Sequence, residues 1–379
     1  MRKIVFIVNG DPSSAMAERA RAFAAELANR YDIRISYRSR RKLISLVQFV
    51  IFLARAKPLL VYVFDMSYSG ALAASLYKWA AGCYLVIETG DAIYELARSM
   101  GRGMLGLRLT RFLENVSFRR ADRIVVRGTF HQRLLRERGI DAALISDGAH
   151  TTRFAPLDAG EMRKRYGLDQ ALTIGVMGSC VWSEKQQTCY GWEMVEVLRL
   201  LKDAPVKAVM IGGGSGIARL KARCKDYGIE DRVLFLGHVP YDELPSYLNL
   251  IDICLSTQTN DEVGQVRTTG KLPLYMAAGR YVLASRVGEA VLVLDEEMLV
   301  EYDGVKDCAY PRKLAERVSA LLENPEKLKR GLENVRVARA RFDYRVLAEE
   351  MAALFDMALP TAASSSKRLV SERDAKRSA

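Results

Sequence analysis

The sequence predicts an α/β protein built from two doubly wound parallel sheets, and three observations lead there. At 379 residues the chain is long enough for two domains, each burying its own core. Short runs rich in Val, Ile and Leu alternate with amphipathic stretches, the order of parallel strands joined by crossover helices. Each of these runs is rich in Val, Ile or Leu, as strands covered on both faces should be.

In the first half, strands are expected at residues 4–8, 33–37, 59–64, 84–88, 123–126 and 143–146. Residues 15–29 read as a helix whose apolar face carries Ala20, Phe23, Ala24 and Leu27. A second series of strands is expected at residues 173–177, 208–211, 233–235, 253–255, 281–284 and 299–301. Helices fit between them at residues 191–201, 216–227 and 271–278. The halves join near residues 155–170, giving domains over residues 1–165 and 166–341. Ligands of such sheets bind outside the C-terminal strand ends, so a cleft between the halves is the expected site. Residues 360–379, PTAASSSKRLVSERDAKRSA, lose all apolar periodicity and read as a disordered basic tail.

Composition excludes several classes. Half the residues are hydrophobic and the mean hydropathy is −0.03, too apolar for disorder. With 27 Gly and 10 Pro in no repeating period, a collagen-like fibre is excluded. The six cysteines (Cys83, Cys180, Cys189, Cys224, Cys254, Cys308) form no C-x-x-C pair, and there are only three histidines. Both facts argue against a disulfide scaffold or structural zinc and for a reducing cytoplasm. Residues 4–8 read as a buried strand rather than the core of a secretory leader. Charge is uneven: residues 1–150 carry 24 Lys and Arg against 13 Asp and Glu, within a net +12 for the chain. That excess points to an anionic partner, the alternative being arginines spread over solvated faces. No RNP, zinc-finger or basic-zipper pattern supports nucleic acid as that partner.

Several segments then occur in a telling order. Ser146-Asp147-Gly148-Ala149-His150 is followed by Phe154 and Pro156. IGVMGSCVWSEK spans residues 174–185, and a long strand-and-turn series fills residues 209–256. TTGKLPLYMAAGRYVLAS occupies residues 268–285, with Val287-Gly288-Glu289 after it and FDYRVLAEEMAALFDMA at residues 342–358. Singly the glycine turns are weak signals. In this order and spacing they resemble the GT-B glycosyltransferases, in particular the retaining group 1 enzymes. The resemblance implies two Rossmann-like domains facing across a cleft, with a last helix (residues 342–359) crossing back to the first domain. It also implies a hexosyl transfer from a nucleotide-sugar donor on the second domain to a glycan or lipid-linked acceptor on the first.

Such a reaction needs the departing diphosphate held and its growing charge offset. Three elements fit: Gly178-Ser179 with Lys185 as a point charge, Thr268-Thr269-Gly270-Lys271 opening a helix, and Gly212-Gly213-Gly214 for close approach of the nucleoside. The alternatives are a solvated loop lysine at Lys185 and a ligand-free first-turn lysine at Lys271. A cation at a helix start opposes the dipole, which favours an anion near Lys271. No Asp-x-Asp pair exists, so neither metal nor other cofactor is expected.

The chain also departs from the resemblance. The family's two donor-loop glutamates fall on Val266 and Leu274, so the ribose needs another acceptor; Asp261, Glu262 and Glu289 are the nearby candidates. The arginine usual after the first glycine turn is Ser179, and Arg267 is expected to replace its charge. In the first domain Gly90 stands where many members have a histidine. Glu88 or Asp91 is a candidate general base, with a helix N-cap over residues 92–99 as the alternative for Asp91. Gly10 and Asp11 are expected to border the acceptor side. His131 and His150 are read as structural.

Finally, Arg38, Arg40, Arg41 and Lys42 precede twelve largely apolar residues, 43–54, with Arg55 and Lys57 behind them. That run is too short to span a bilayer, which takes about 20 residues. It fits an interfacial helix on an anionic leaflet or a core helix on the first sheet. A second basic stretch, residues 102–138, includes Arg108, Arg111, Arg119 and Arg120. The expected function is a cytoplasmic glycosyltransferase of cell-envelope polysaccharide synthesis, peripheral on the inner membrane face. The alternatives are a non-catalytic glycan-binding or scaffold partner of the same fold and a nucleotide-sugar epimerase.

Overall fold

A computed structural model describes residues 1–39 and 41–359. Arg40 and the tail expected at residues 360–379 lie outside the described residues. All twelve expected strands are present, each within two residues of the expected ends. The first sheet contains β1 (Arg2–Val8), β2 (Tyr31–Tyr37), β3 (Leu60–Phe64), β4 (Tyr84–Thr89), β5 (Arg123–Val126) and β6 (Ala142–Leu144). The second contains β7 (Leu172–Met177), β8 (Val206–Ile211), β9 (Val233–Gly237), β10 (Ile253–Ser256), β11 (Tyr281–Ser285) and β12 (Leu299–Val300). Every pairing is parallel, in the orders β2-β1-β3-β4-β5-β6 and β12-β11-β10-β7-β8-β9. Strand order therefore reverses between β1 and β3 and again between β7 and β10, the two places where such sheets open a crevice.

The first domain carries α1 (Ala15–Glu26), α2 (Lys42–Ala56), α3 (Tyr68–Ala81), α4 (Ile93–Ser99), α5 (Met104–Arg120) and α6 (Thr129–Glu137). After α7 (Gly160–Arg165) the second domain adds α8 (Trp192–Leu200), α9 (Ile217–Asp226), α10 (Leu244–Leu248), α11 (Glu262–Val266) and α12 (Lys271–Ala277). It closes with α13 (Ala290–Val293), α14 (Tyr310–Glu323) and α15 (Gly331–Arg341). The last helix, α16 (Tyr344–Ala358), buries Leu347, Met351 and Phe355 in the core of the first sheet. Phe355 meets Tyr31 edge-on at 5.5 Å and Tyr62 at 6.1 Å, so the end of the chain is part of the first domain's interior. Arg30 on the surface pins the helix to Glu349 and Asp356, both at 2.9 Å.

The apolar run at residues 43–54 combines both expectations. Phe49 and Leu53 of α2 are buried against the first sheet, whereas Leu43, Ile44, Val47 and Ile51 face outward. Among the described residues no helix is long and apolar enough to cross a membrane.

Glu88 does not reach the cleft. Its carboxylate is fully buried at the end of β4, where Arg19 of α1 pairs with it at 3.1 Å and the Tyr62 hydroxyl donates to it at 2.7 Å. The same guanidinium donates to the carbonyls of Ile145 (2.9 Å) and Ser146 (2.7 Å), tying helix, strand and domain junction together. A carboxylate saturated in this way has no path to a substrate proton, which corrects its reading as a general base. Removing one partner of a buried pair strands the other charge, so Glu88→Ala should lose ~3–5 kcal/mol in urea unfolding. The double variant Glu88→Leu/Arg19→Met should recover most of it. A loss under about 1 kcal/mol for Glu88→Ala would show that the pair is not a structural anchor.

Candidate functional site

The floor of the site is a zipper between two turns at the C-terminal edge of the second sheet. Gly178 N donates to Ile211 O, Cys180 N to Gly213 O and Gly216 N to Cys180 O, each at 2.9 Å. Gly212 has φ +120, and a Cβ there would collide with the Gly178 carbonyl; one on Gly214 would strike the Cys180 carbonyl. These two glycines exist to let the turns touch. Of the triplet expected to admit a nucleoside, only Gly213 opens onto free space.

Above this floor sits Lys271, the first residue of α12. Its ammonium lies 3.6 Å from the Tyr190 ring centroid and 3.1 Å from where a Cβ on Gly178 would stand. A Cβ at 178 would press the ammonium back by a few tenths of an ångström, and the backbone there (φ +147) itself favours glycine. Lys271 has no ion pair or hydrogen bond among the described residues. Burial, reinforced by the positive charge of Arg267 and opposed by Glu193, lowers its amine to about 7. Glu193, in the first turn of α8, is buried beside it, and burial raises its carboxyl to about 7. Glu193, Thr257 and Arg267 line a cleft of about 200 Å³ between the loop after β7 and the loop after β10. Neither Tyr190 nor Glu193 was singled out in the sequence. Their signal was a Tyr-Gly-Trp-Glu run at a helix start, which reads equally well as core.

The helix of Lys271 has seven residues, is preceded by Gly270 and has no side-chain cap. So short a helix contributes little dipole, which leaves the electrostatics to the ammonium. The Thr268 hydroxyl is buried without a partner. Thr269 is half-buried, while Ser179 and Gly270 are exposed.

Lys185 is not beside Lys271. It is exposed, and its ammonium donates to the Ser99 carbonyl of the first domain at 3.2 Å. It lines a neighbouring opening with Arg98, Glu262 and Lys306.

The first-domain wall contains an arrangement that sequence reading missed. Asp91 faces Arg267 across the cleft at 3.2 Å, so two expected site residues meet as an interdomain ion pair. Asp91 is not a helix cap: α4 begins at Ile93, and the residue before it, Ala92, supplies no side-chain bond. A Cβ on Gly90 would collide with the guanidinium of Arg127, which therefore fills the volume where the family histidine would stand. Arg127 pairs with Asp65 (3.3 Å) and Asp147 (3.5 Å), and its Nε is buried without an acceptor. Asp65 adopts a left-handed backbone (φ +55) immediately after β3, and burial raises its carboxyl. A polar residue at the C-terminal end of a strand was the signal available for it.

The carboxylates considered as ribose acceptors are all engaged. Asp261 caps α11 through Gly264 N at 2.9 Å, Glu262 pairs with Arg138 at 2.8 Å, and Glu289 accepts from the backbone and hydroxyl of Thr129. Gly10 packs against Ser14, and Asp11 organises its own turn through Ser13 N at 2.9 Å. His131 is buried, which lowers it to about 4; the His150 ring packs tilted against Tyr344, with centroids 4.9 Å apart. Among the described residues no three His, Cys, Asp or Glu are grouped to hold a metal ion.

Comparison with known proteins agrees with this layout. Residues 171–324 match the sequence model of the glycosyl transferases group 1. The chain is 31% identical over 139 residues to a 2-deoxystreptamine glucosyltransferase of Streptomyces kanamyceticus, covering 35% of the chain and 33% of that protein. It is 31% identical over 188 residues to a GDP-mannose-dependent alpha-(1-6)-phosphatidylinositol monomannoside mannosyltransferase of Mycolicibacterium smegmatis, covering 46% of the chain and 48% of that protein. The chain thus spans about a quarter to a half of the length of the curated relatives it matches. The crystal structure of Anabaena HepE in complex with UDP and glucose superposes with a TM-score of 0.73 at 17% identity, over 94% of this chain and all of that one. That likeness establishes the two-domain fold.

Lys271 also makes stability depend on pH. Its amine is lowered on folding, so the unfolded chain binds more protons between about pH 7 and 10, and this residue's contribution to stability rises with pH there. Below about pH 7 the folded protein carries the full cost of a covered ammonium. Lys271→Met should therefore be more stable than the parent in urea at pH 6, with the gap closing toward pH 10. A gap that does not change with pH would refute the buried amine.

Proposed function

We propose that this chain, whose second domain belongs to the group 1 glycosyltransferases and which has the GT-B fold, transfers a hexose from a nucleotide sugar to a glycan or lipid-linked acceptor, with retention at the anomeric carbon. The supporting observation is Lys271: an ammonium without a carboxylate partner at hydrogen-bond distance, held over a glycine turn where the strand order reverses. A diphosphate placed there supplies the missing counter-charge. The amine then offsets the charge that grows on the leaving nucleotide as the sugar–oxygen bond breaks. The unpartnered Thr268 hydroxyl and the open backbone at Gly213 give the donor further hydrogen-bonding room. Lys185, at the rim, is read as a second phosphate contact after a shift of its loop, as the family resemblance implies. Because this charge is supplied by side chains, no metal is required. The resemblance supports retention and a place in cell-envelope polysaccharide synthesis, and relatives named for glucosyl and mannosyl transfer support a hexose as the group moved.

On the acceptor side, Asp91 and Asp65 flank Arg127 where the family histidine would act. Asp91 is read as the group that orients a reacting hydroxyl, released from Arg267 as the donor enters. The outward apolar residues of α2 are flanked by Arg41 and Arg55, and Met104, Leu105, Leu109 and Phe112 of α5 have Arg108 and Arg111 between them. Such faces suit a peripheral seat on an anionic inner leaflet.

The missing glutamates at Val266 and Leu274 favour a second reading, a non-catalytic partner of the same fold that binds without turnover. Calorimetric titration with UDP-, GDP- and ADP-sugars, followed by product analysis with membrane extract, separates the two. Transfer of radiolabelled sugar supports the enzyme; binding without any product supports the partner. Lys271→Met should weaken binding of the preferred nucleotide at least tenfold, and the parent's affinity should fall as pH rises from 6 to 9. Unchanged binding in Lys271→Met would remove the basis of the proposal.

A further inference from the structure

The first domain has a second cavity, away from the donor cleft, of about 250 Å³ between the C-terminal ends of β1 and β3 and the start of α2. It sits where the first sheet reverses strand order, the counterpart of the place Lys271 occupies in the second. Leu43, Leu46 and Leu72 give it an apolar wall; Asn9, Arg38 and Tyr68 are its distinctive polar groups. Arg38 donates to the Asn9 side chain at 2.8 Å but makes no ion pair among the described residues. The Tyr68 hydroxyl is buried and has no partner. A guanidinium without a carboxylate and a phenol without an acceptor, sharing one cavity, are matched by an anion with several acceptor oxygens.

The mouth of the cavity adds a second requirement. Leu43 is 79% exposed, and with Ile44, Val47 and Ile51 it lines one side of α2 at helical spacing. From Leu43 to Ile51 that track runs about 12 Å at 1.5 Å per residue. A simple phosphate or a free glycan leaves it uncovered; a hydrocarbon chain attached to the anion covers it. We propose that this cavity binds the phosphate of a lipid-phosphate-linked acceptor, with Arg38 and Tyr68 on the phosphate and the lipid chain laid along Leu43, Ile44, Val47 and Ile51. The identification of this ligand as the acceptor rests on the transfer reaction proposed above; its chemistry rests on the cavity alone.

The probe is dodecyl phosphate below its micelle-forming concentration, titrated calorimetrically into the full chain, with dodecanol and inorganic phosphate as half-probes. Dodecyl phosphate should bind at least tenfold more tightly than either. Arg38→Ala should weaken it tenfold or more, and Tyr68→Phe by about threefold. Val47→Asp, on the exposed face, should weaken it as well, while UDP binding stays unchanged in all three variants. Equal binding of dodecanol, or dodecyl phosphate affinity within twofold of the parent in Arg38→Ala, would overturn the proposal. So would Arg38-independent binding to phosphatidylglycerol vesicles with no binding of the monomeric probe, which would leave this face as a seat on the bilayer with no acceptor site. If the probe binds at Arg38 but no nucleotide binds the second domain, the transfer reading fails and the lipid-phosphate site stands; the converse leaves the donor site and removes this one.

Discussion

A covered amine with no carboxylate at hydrogen-bond distance, only Glu193 nearby, is the constraint around which the second domain is arranged. Lys271 is held over Tyr190 and the Gly178 turn, in a place where burial and Arg267 both disfavour its charge. Such an arrangement costs stability in the empty protein and gains it when an anion arrives, the usual sign of a site organised for its ligand. The glycines follow from the same constraint. Gly178 leaves room for the amine, and Gly212 and Gly214 allow the neighbouring turn to lock beneath it.

The first domain handles charge differently. Arg19 and Glu88 saturate each other in the interior, and the closing helix packs its Phe355 against the same layer. Arg127, by contrast, occupies the space above Gly90 with an Nε to spare, flanked by Asp65 and Asp147. Arg267 reaches over from the second domain to Asp91, and Glu289 reaches to the first turn of α6. These contacts, one ion pair and one carboxylate on the start of α6, tie the two domains across the cleft.

The fold was legible because buried parallel strands leave a strong mark, short runs rich in Val, Ile and Leu between helical stretches; β1 from Ile4 onward and β3 are unbroken apolar runs, whereas β2 keeps only Ile33 and Ile35 of the pattern. The site was legible only in part. Lys271 could be suspected because a cation at a helix start is out of place, and Arg267 because it stands just upstream of Thr268 in a chain whose usual arginine is replaced by Ser179. Lys185 and Glu88 show the limit: spacing gives a residue's place along the chain but not the direction of its side chain. Glu88 turns inward to Arg19, and Lys185 outward to Ser99. Arg127 was invisible for a related reason, since it fills the volume of a residue 37 positions earlier in the chain. Only a three-dimensional collision reveals that substitution.

The most direct measurement is the proton balance of nucleotide binding at pH 8, from UDP titrations in two buffers of different ionisation enthalpy. With an amine lowered to about 7, most molecules hold Lys271 neutral at that pH, and a diphosphate must restore its charge. Uptake approaching about one proton per UDP by the parent chain, lost in Lys271→Met, is the predicted result. Binding with no proton uptake, or the same uptake in both proteins, would contradict the buried amine as the group that grips the diphosphate.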